Sequence, residues 1–90
     1  MTTITNTAIR DCLLKLVHDR GPTKTICPSE VARALSCDDW RALMEQVRAV
    51  GIELHDAGKI AVTQKGHAVD PRAVKGPIRY RLILPLSEDR

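Results

Sequence analysis

Residues 47–64, Val47-Arg48-Ala49-Val50-Gly51-Ile52-Glu53-Leu54-His55-Asp56-Ala57-Gly58-Lys59-Ile60-Ala61-Val62-Thr63-Gln64, change their apolar period part-way along. Up to Asp56 the apolar positions Trp40, Leu43, Met44, Val47, Val50 and Leu54 recur every three or four residues, the stripe of a helix. From Ile60 the period falls to two: Ile60, Val62 and Gln64 alternate with Ala61, Thr63 and Lys65, the pattern of a half-buried strand. Gly58 stands between them, where a helix end favours glycine. Gly51 falls on the apolar side of the helix. Its missing side chain would let another backbone come close, at a helix cost of about 1 kcal/mol relative to alanine. Alternation returns downstream, with Ile78, Tyr80, Leu82 and Leu84 set against Arg79, Arg81 and Ile83.

Working back towards the amino end, Ile9, Cys12, Leu13, Leu16 and Val17 mark a helix from Asn6 to Asp19, with Asn6 as its N-cap. Arg20-Gly21-Pro22 ends it. Thr23 to Ile26 is an extended link able to add an edge to a small sheet. Cys27-Pro28-Ser29-Glu30 opens a second helix running to Leu35, because proline suits a first turn and Glu30 suits its dipole. Ser36-Cys37 makes a tight joint, and Asp38 or Asp39 caps the third helix. Residues 66–77 form a long connection between the two strands, and residues 1–5 and 87–90 read as frayed ends. The order helix, link, helix, helix, strand, loop, strand predicts a single α+β, mainly helical domain over residues 1–90. It is that of a winged helix-turn-helix: three helices, then a two-stranded β-ribbon with a long wing loop and room for a short third edge strand. Helix three is the usual reader. Another α+β packing of the same elements is the rival.

The chain has 90 residues, 43% hydrophobic and 28% charged, the balance of one soluble domain. It has no apolar run near the roughly 20 residues that cross a bilayer, and MTTITNTAIR lacks the apolar centre of a signal peptide. Cys12, Cys27 and Cys37 are odd in number and lack framework spacing, so a reducing cytoplasm is expected. Trp40 and Tyr80 are the sole aromatics, which argues against the stacking platforms of single-strand binders. His18, His55 and His67 make no metal-ligand spacing with the cysteines, and neither a nucleophile motif nor a phosphate loop occurs. The expectation is therefore a non-enzymatic protein without metal or cofactor. Cys27 has two readings: a thiolate stabilised by the helix dipole, or a small apolar side chain tucked under the helix start.

Charge is uneven. Residues 59–81 hold Lys59, Lys65, Arg72, Lys75, Arg79 and Arg81 against Asp70 alone, a net of +5. The rest of the chain carries eight basic and ten acidic residues, a net of −2. This is the footprint of a polyanion binder, with the cations on a wing that stands away from an acidic helical body and with Arg79 and Arg81 pointing to solvent. Helix three is less favourable: Arg41 and Arg48 face Asp38, Asp39, Glu45, Glu53 and Asp56, with Glu45 within reach of Arg48. The expected partner is double-stranded DNA. Arg41, Gln46 and Arg48 would approach the groove, and Lys65, His67, Arg72, Lys75, Arg79 and Arg81 the backbone or minor groove. The alternative is a protein-interaction module using helix three around Ile52, an exposed-looking apolar residue near Glu45, Ala49 and His55.

The blocks Gly21-Pro22-Thr23-Lys24-Thr25-Ile26-Cys27-Pro28-Ser29-Glu30-Val31-Ala32-Arg33-Ala34-Leu35, Trp40-Arg41-Ala42-Leu43-Met44, Val47-Arg48-Ala49-Val50, Gly58-Lys59-Ile60, Val62-Thr63-Gln64-Lys65-Gly66 and Gly76-Pro77-Ile78-Arg79 occur in that order. In these the chain resembles a bacterial family of small uncharacterised proteins, the domain-of-unknown-function family numbered 3253, over about nine-tenths of its length. The resemblance implies a winged-helix fold and no established activity. Gly51 and Ile52 depart from the polar or alanine-rich residues expected there.

Overall fold

In the computed structural model, which describes residues 3–83, the elements are α1 (Asn6–Arg20), β1 (Thr25–Ile26), α2 (Pro28–Leu35), α3 (Trp40–Asp56), β2 (Ile60–Gln64), β3 (His67–Ala68) and β4 (Arg79–Leu82). Leu84 and the frayed end at residues 87–90 lie outside the described residues. Thr5, not Asn6, caps α1: its Oγ1 accepts from the Ala8 N–H at 3.1 Å. The Asn6 oxygen is engaged elsewhere, accepting from the Gln46 side chain at 2.8 Å. Ile9, Leu13 and Val17 form the buried stripe of α1, and Gly21 ends it with a positive φ of 96°. Pro28 opens α2 as expected, and the Glu30 carboxylate reaches back to accept from the Cys27 N–H at 2.9 Å. Asp39 is the N-cap residue of α3, as one of the two expected, but its side chain makes no capping hydrogen bond. The joint is held instead by the Asp39 N–H donating to Ser36 Oγ at 3.2 Å.

The sheet is antiparallel throughout, in the order β1-β4-β2-β3. β2 and β4 are the expected ribbon, in the register Val62 opposite Tyr80, and β1 adds the edge through Ile26 opposite Tyr80. β3 was not expected. It arises because Lys65 and Gly66, at φ 53° and 84°, make a two-residue turn that returns the chain onto β2. Part of the long connection is therefore paired.

The apolar stripes of the three helices meet the inner face of the sheet. Ile9, Leu13, Val17, Val31, Val47, Val50, Ile26, Ile60, Val62 and Tyr80 are all essentially excluded from water. The result is an α+β, mainly helical fold compatible with a winged helix. Gly51 does admit a neighbour, but that neighbour is a side chain: a Cβ there would lie 2.5 Å from the Tyr80 hydroxyl oxygen. Among the described residues no helix is long and apolar enough to cross a membrane.

Candidate nucleic-acid interface

The hairpin tip gathers cations by a specific device. Gln64 is the last residue of β2, and its Nε2 donates to the Lys75 carbonyl at 2.6 Å and the Pro77 carbonyl at 3.1 Å. The returning loop is thereby clipped against the tip. Lys65 and Gly66 form the turn, His67 pairs with Gln64 across it, and Lys75 is drawn in by its own carbonyl. Lys65, His67 and Lys75 are all exposed. Among the described residues none of these three side chains takes part in an ion pair. Gly76, at φ 91°, lets the clipped segment turn.

The loop is not a free finger. Asp70 starts a turn in which its Oδ1 accepts from the Arg72 N–H at 2.9 Å and its carbonyl from the Val74 N–H at 3.1 Å. Val69 and Val74 pack against the core. Arg72, expected to contact DNA, instead grips Asp56 at the end of α3 through both terminal nitrogens, Nη1 at 2.9 Å. Its guanidinium, with His55 in a lesser part, holds the Asp56 carboxyl down at about 2. The same contact raises the Arg72 pKa. The expected separation of basic wing and acidic body fails here, because the acidic end of α3 is the anchor for the loop.

Arg79 is also committed. On β4 it donates through Nε to Thr25 Oγ1 and through Nη1 to Cys27 Sγ at 2.9 Å, so it clamps β1 and the start of α2 rather than pointing freely to solvent. Arg81 is half-buried, opposite Thr25 and Ala61 in the register.

On α3, Gln46 is spent holding the amino-terminal segment, donating to the Ile4 carbonyl at 3.0 Å and to Asn6 Oδ1 at 2.8 Å. It is not free to read a base. Arg41 lies over the Trp40 ring at 4.5 Å, and Arg33 of α2 lies over the same ring at 4.3 Å. Arg33 was missed in the sequence because no spacing rule links it to Trp40. Arg48 is exposed, and among the described residues no ion pair joins it to Glu45; Glu53 pairs with Arg10 of α1 at 3.3 Å instead. Ile52 is half-buried, so it is less open to solvent than its place in the sequence suggests.

Cys27 is the N-cap of α2 and half-buried, with its sulfur accepting from Arg79. Among the described residues no group of three His, Cys, Asp or Glu side chains converges to hold a metal ion.

A family model described as "Protein of unknown function (DUF3253)" matches residues 6–83. Among curated proteins nothing matches the chain.

Proposed function

The chain belongs to the family of proteins of unknown function DUF3253, and from its surface chemistry we propose that it binds double-stranded DNA without catalysing a reaction. The observation that carries this reading is the Gln64 clip, which holds Lys65, His67 and Lys75 at one tip with, among the described residues, no carboxylate paired to them. Two lysine charges held at a tight turn, with the His67 imidazole beside them as a hydrogen-bonding group, are suited to phosphate oxygens, which supply affinity without sequence information. Arg81 of β4 and Arg48 of α3 extend the contact; Gln46 does not, because both its amide N–H groups are taken, and Arg72 does not, because the Asp56 carboxylate offsets its charge. The three free cysteines Cys12, Cys27 and Cys37 support a reducing cytoplasm as the chain's compartment.

With about four phosphates neutralised, the log-log salt slope of duplex binding is expected near −4. The double variant Lys65→Gln, Lys75→Gln flattens the slope by about two, while Arg72→Gln leaves it nearly unchanged. Absence of binding to a mixed duplex at low salt, or a slope indifferent to both lysines, overturns the proposal. A protein-docking role is favoured by one observation: the reading helix carries acidic residues while its Gln46 amide holds the amino-terminal segment and its Arg41 lies over the Trp40 ring of the same helix.

A further inference from the structure

A cavity of about 200 Å³ opens where the hairpin tip meets the start of α2, lined by Cys27, Gln64, Lys65, Pro77, Ile78 and Arg79. We propose that this cavity is a seat for a phosphoryl group, with Lys65 and Arg79 as its counter-charges and the Cys27 thiol as part of its wall. The proposal rests on the duplex reading for one source of that phosphate, a backbone diester; a free phosphate monoester is the other.

Four features carry it. Among the described residues no carboxylate lines the cavity, and its two cations come from different elements, Lys65 from the β2–β3 turn and Arg79 from β4. Arg79 has spare capacity: of the five N–H donors of a guanidinium, one each goes to Thr25 Oγ1, Cys27 Sγ and the Thr25 carbonyl, leaving two. The acid on α2, Glu30, has Arg20 as its ion-pair partner at 2.6 Å and accepts from the Cys27 N–H at 2.9 Å, so it offsets the Arg79 charge only in part. Finally, the space is below the roughly 300–1,000 Å³ of a drug-sized site and holds about six or seven water volumes. Most of its lining is apolar, so the space suits an ester whose tetrahedral head meets Lys65 and Arg79 and whose organic stub rests on Pro77 and Ile78. A fork and a point charge approaching from two sides match such an anion better than a planar carboxylate.

Cys27 serves as the reporter, because an occupied cavity shields its sulfur. The intact chain is alkylated with iodoacetamide, and each cysteine is followed by peptide-resolved mass spectrometry, with exposed Cys37 as the internal reference. The probes are phenyl phosphate and a mixed duplex, the latter checked in parallel by gel retardation. Phenyl phosphate at about four times its Kd is expected to slow Cys27 about fivefold and leave Cys37 unchanged. Lys65→Gln is expected to raise the concentration required several-fold, about threefold or more. If the duplex is retarded but neither probe slows Cys27, the seat is refuted and the duplex reading survives. If the duplex is not retarded but phenyl phosphate protects, the seat stands with a free ester as its ligand. Protection by neither probe and no retardation ends both.

Discussion

Gly51 and Tyr80 set the tightest constraint on any single residue. The Tyr80 hydroxyl is buried and, among the described residues, lacks a hydrogen-bond partner, while its ring closes on the helix at Gly51. Gly51→Ala would gain about 1 kcal/mol of helix propensity. It would also force a methyl into the ring, and overpacking of this kind costs about 1–3 kcal/mol or more in a close-packed interior. Since ring carbons as well as the oxygen lie within 3.0 Å of that Cβ, the clash dominates, and urea denaturation is expected to show a net loss of about 1–2 kcal/mol. Tyr80→Phe removes an unsatisfied polar atom, so alone it is expected to be neutral or stabilising, and it relieves part of the Gly51→Ala loss. The glycine was legible in the sequence as a place of close approach. The identity of its visitor was not, because a ring 29 positions away arrives only through the sheet register.

Among elements, the helices read well from sequence and the short strands read badly. Three-and-four spacing over 8 to 17 residues is self-averaging, so α1, α2 and α3 emerge with nearly their observed limits. β1 and β3 have two residues each, too few to show any period, and their existence depends on partners. The site was legible by the same measure. The clustering of cations between Lys59 and Arg81 is a property of the chain, whereas the capture of Arg72 by Asp56 and of Arg79 by Thr25 is a property of elements meeting. The Arg72–Asp56 contact ties the loop to the end of α3, and its pH dependence has a definite sign. Asp56 has its pKa lowered from 3.8 to about 2, so the tie contributes fully above the unfolded value and is lost as pH falls through about 2. An NMR titration is expected to place the Asp56 carboxyl midpoint near 2, returning towards 3.8 in Arg72→Gln. A midpoint near 4 in the native chain would show that the loop is not anchored.

For the molecule as a whole, the sole tyrosine converts alkaline pH into a test of global stability. Burial pushes its phenol up to about 12, against 10 in the unfolded chain. Below pH 10 both states are protonated and the native fold bears no penalty. Between about 10 and 12 the unfolded chain releases its proton first, so stability falls by about 2–3 kcal/mol. That is a large share of the roughly 5–15 kcal/mol typical of a small domain. Tyrosinate absorbance of the folded chain is therefore expected to rise near pH 12 rather than near 10, and a midpoint near 10 with helical circular dichroism intact would mean an accessible phenol. The sheet order has a separate bearing on life at high local density. Its two outermost strands are each two residues long, and a proper template for intermolecular zipping needs a longer open row of amides and carbonyls. Copies brought side by side would thus find, among the described strands, little rim to hydrogen-bond to.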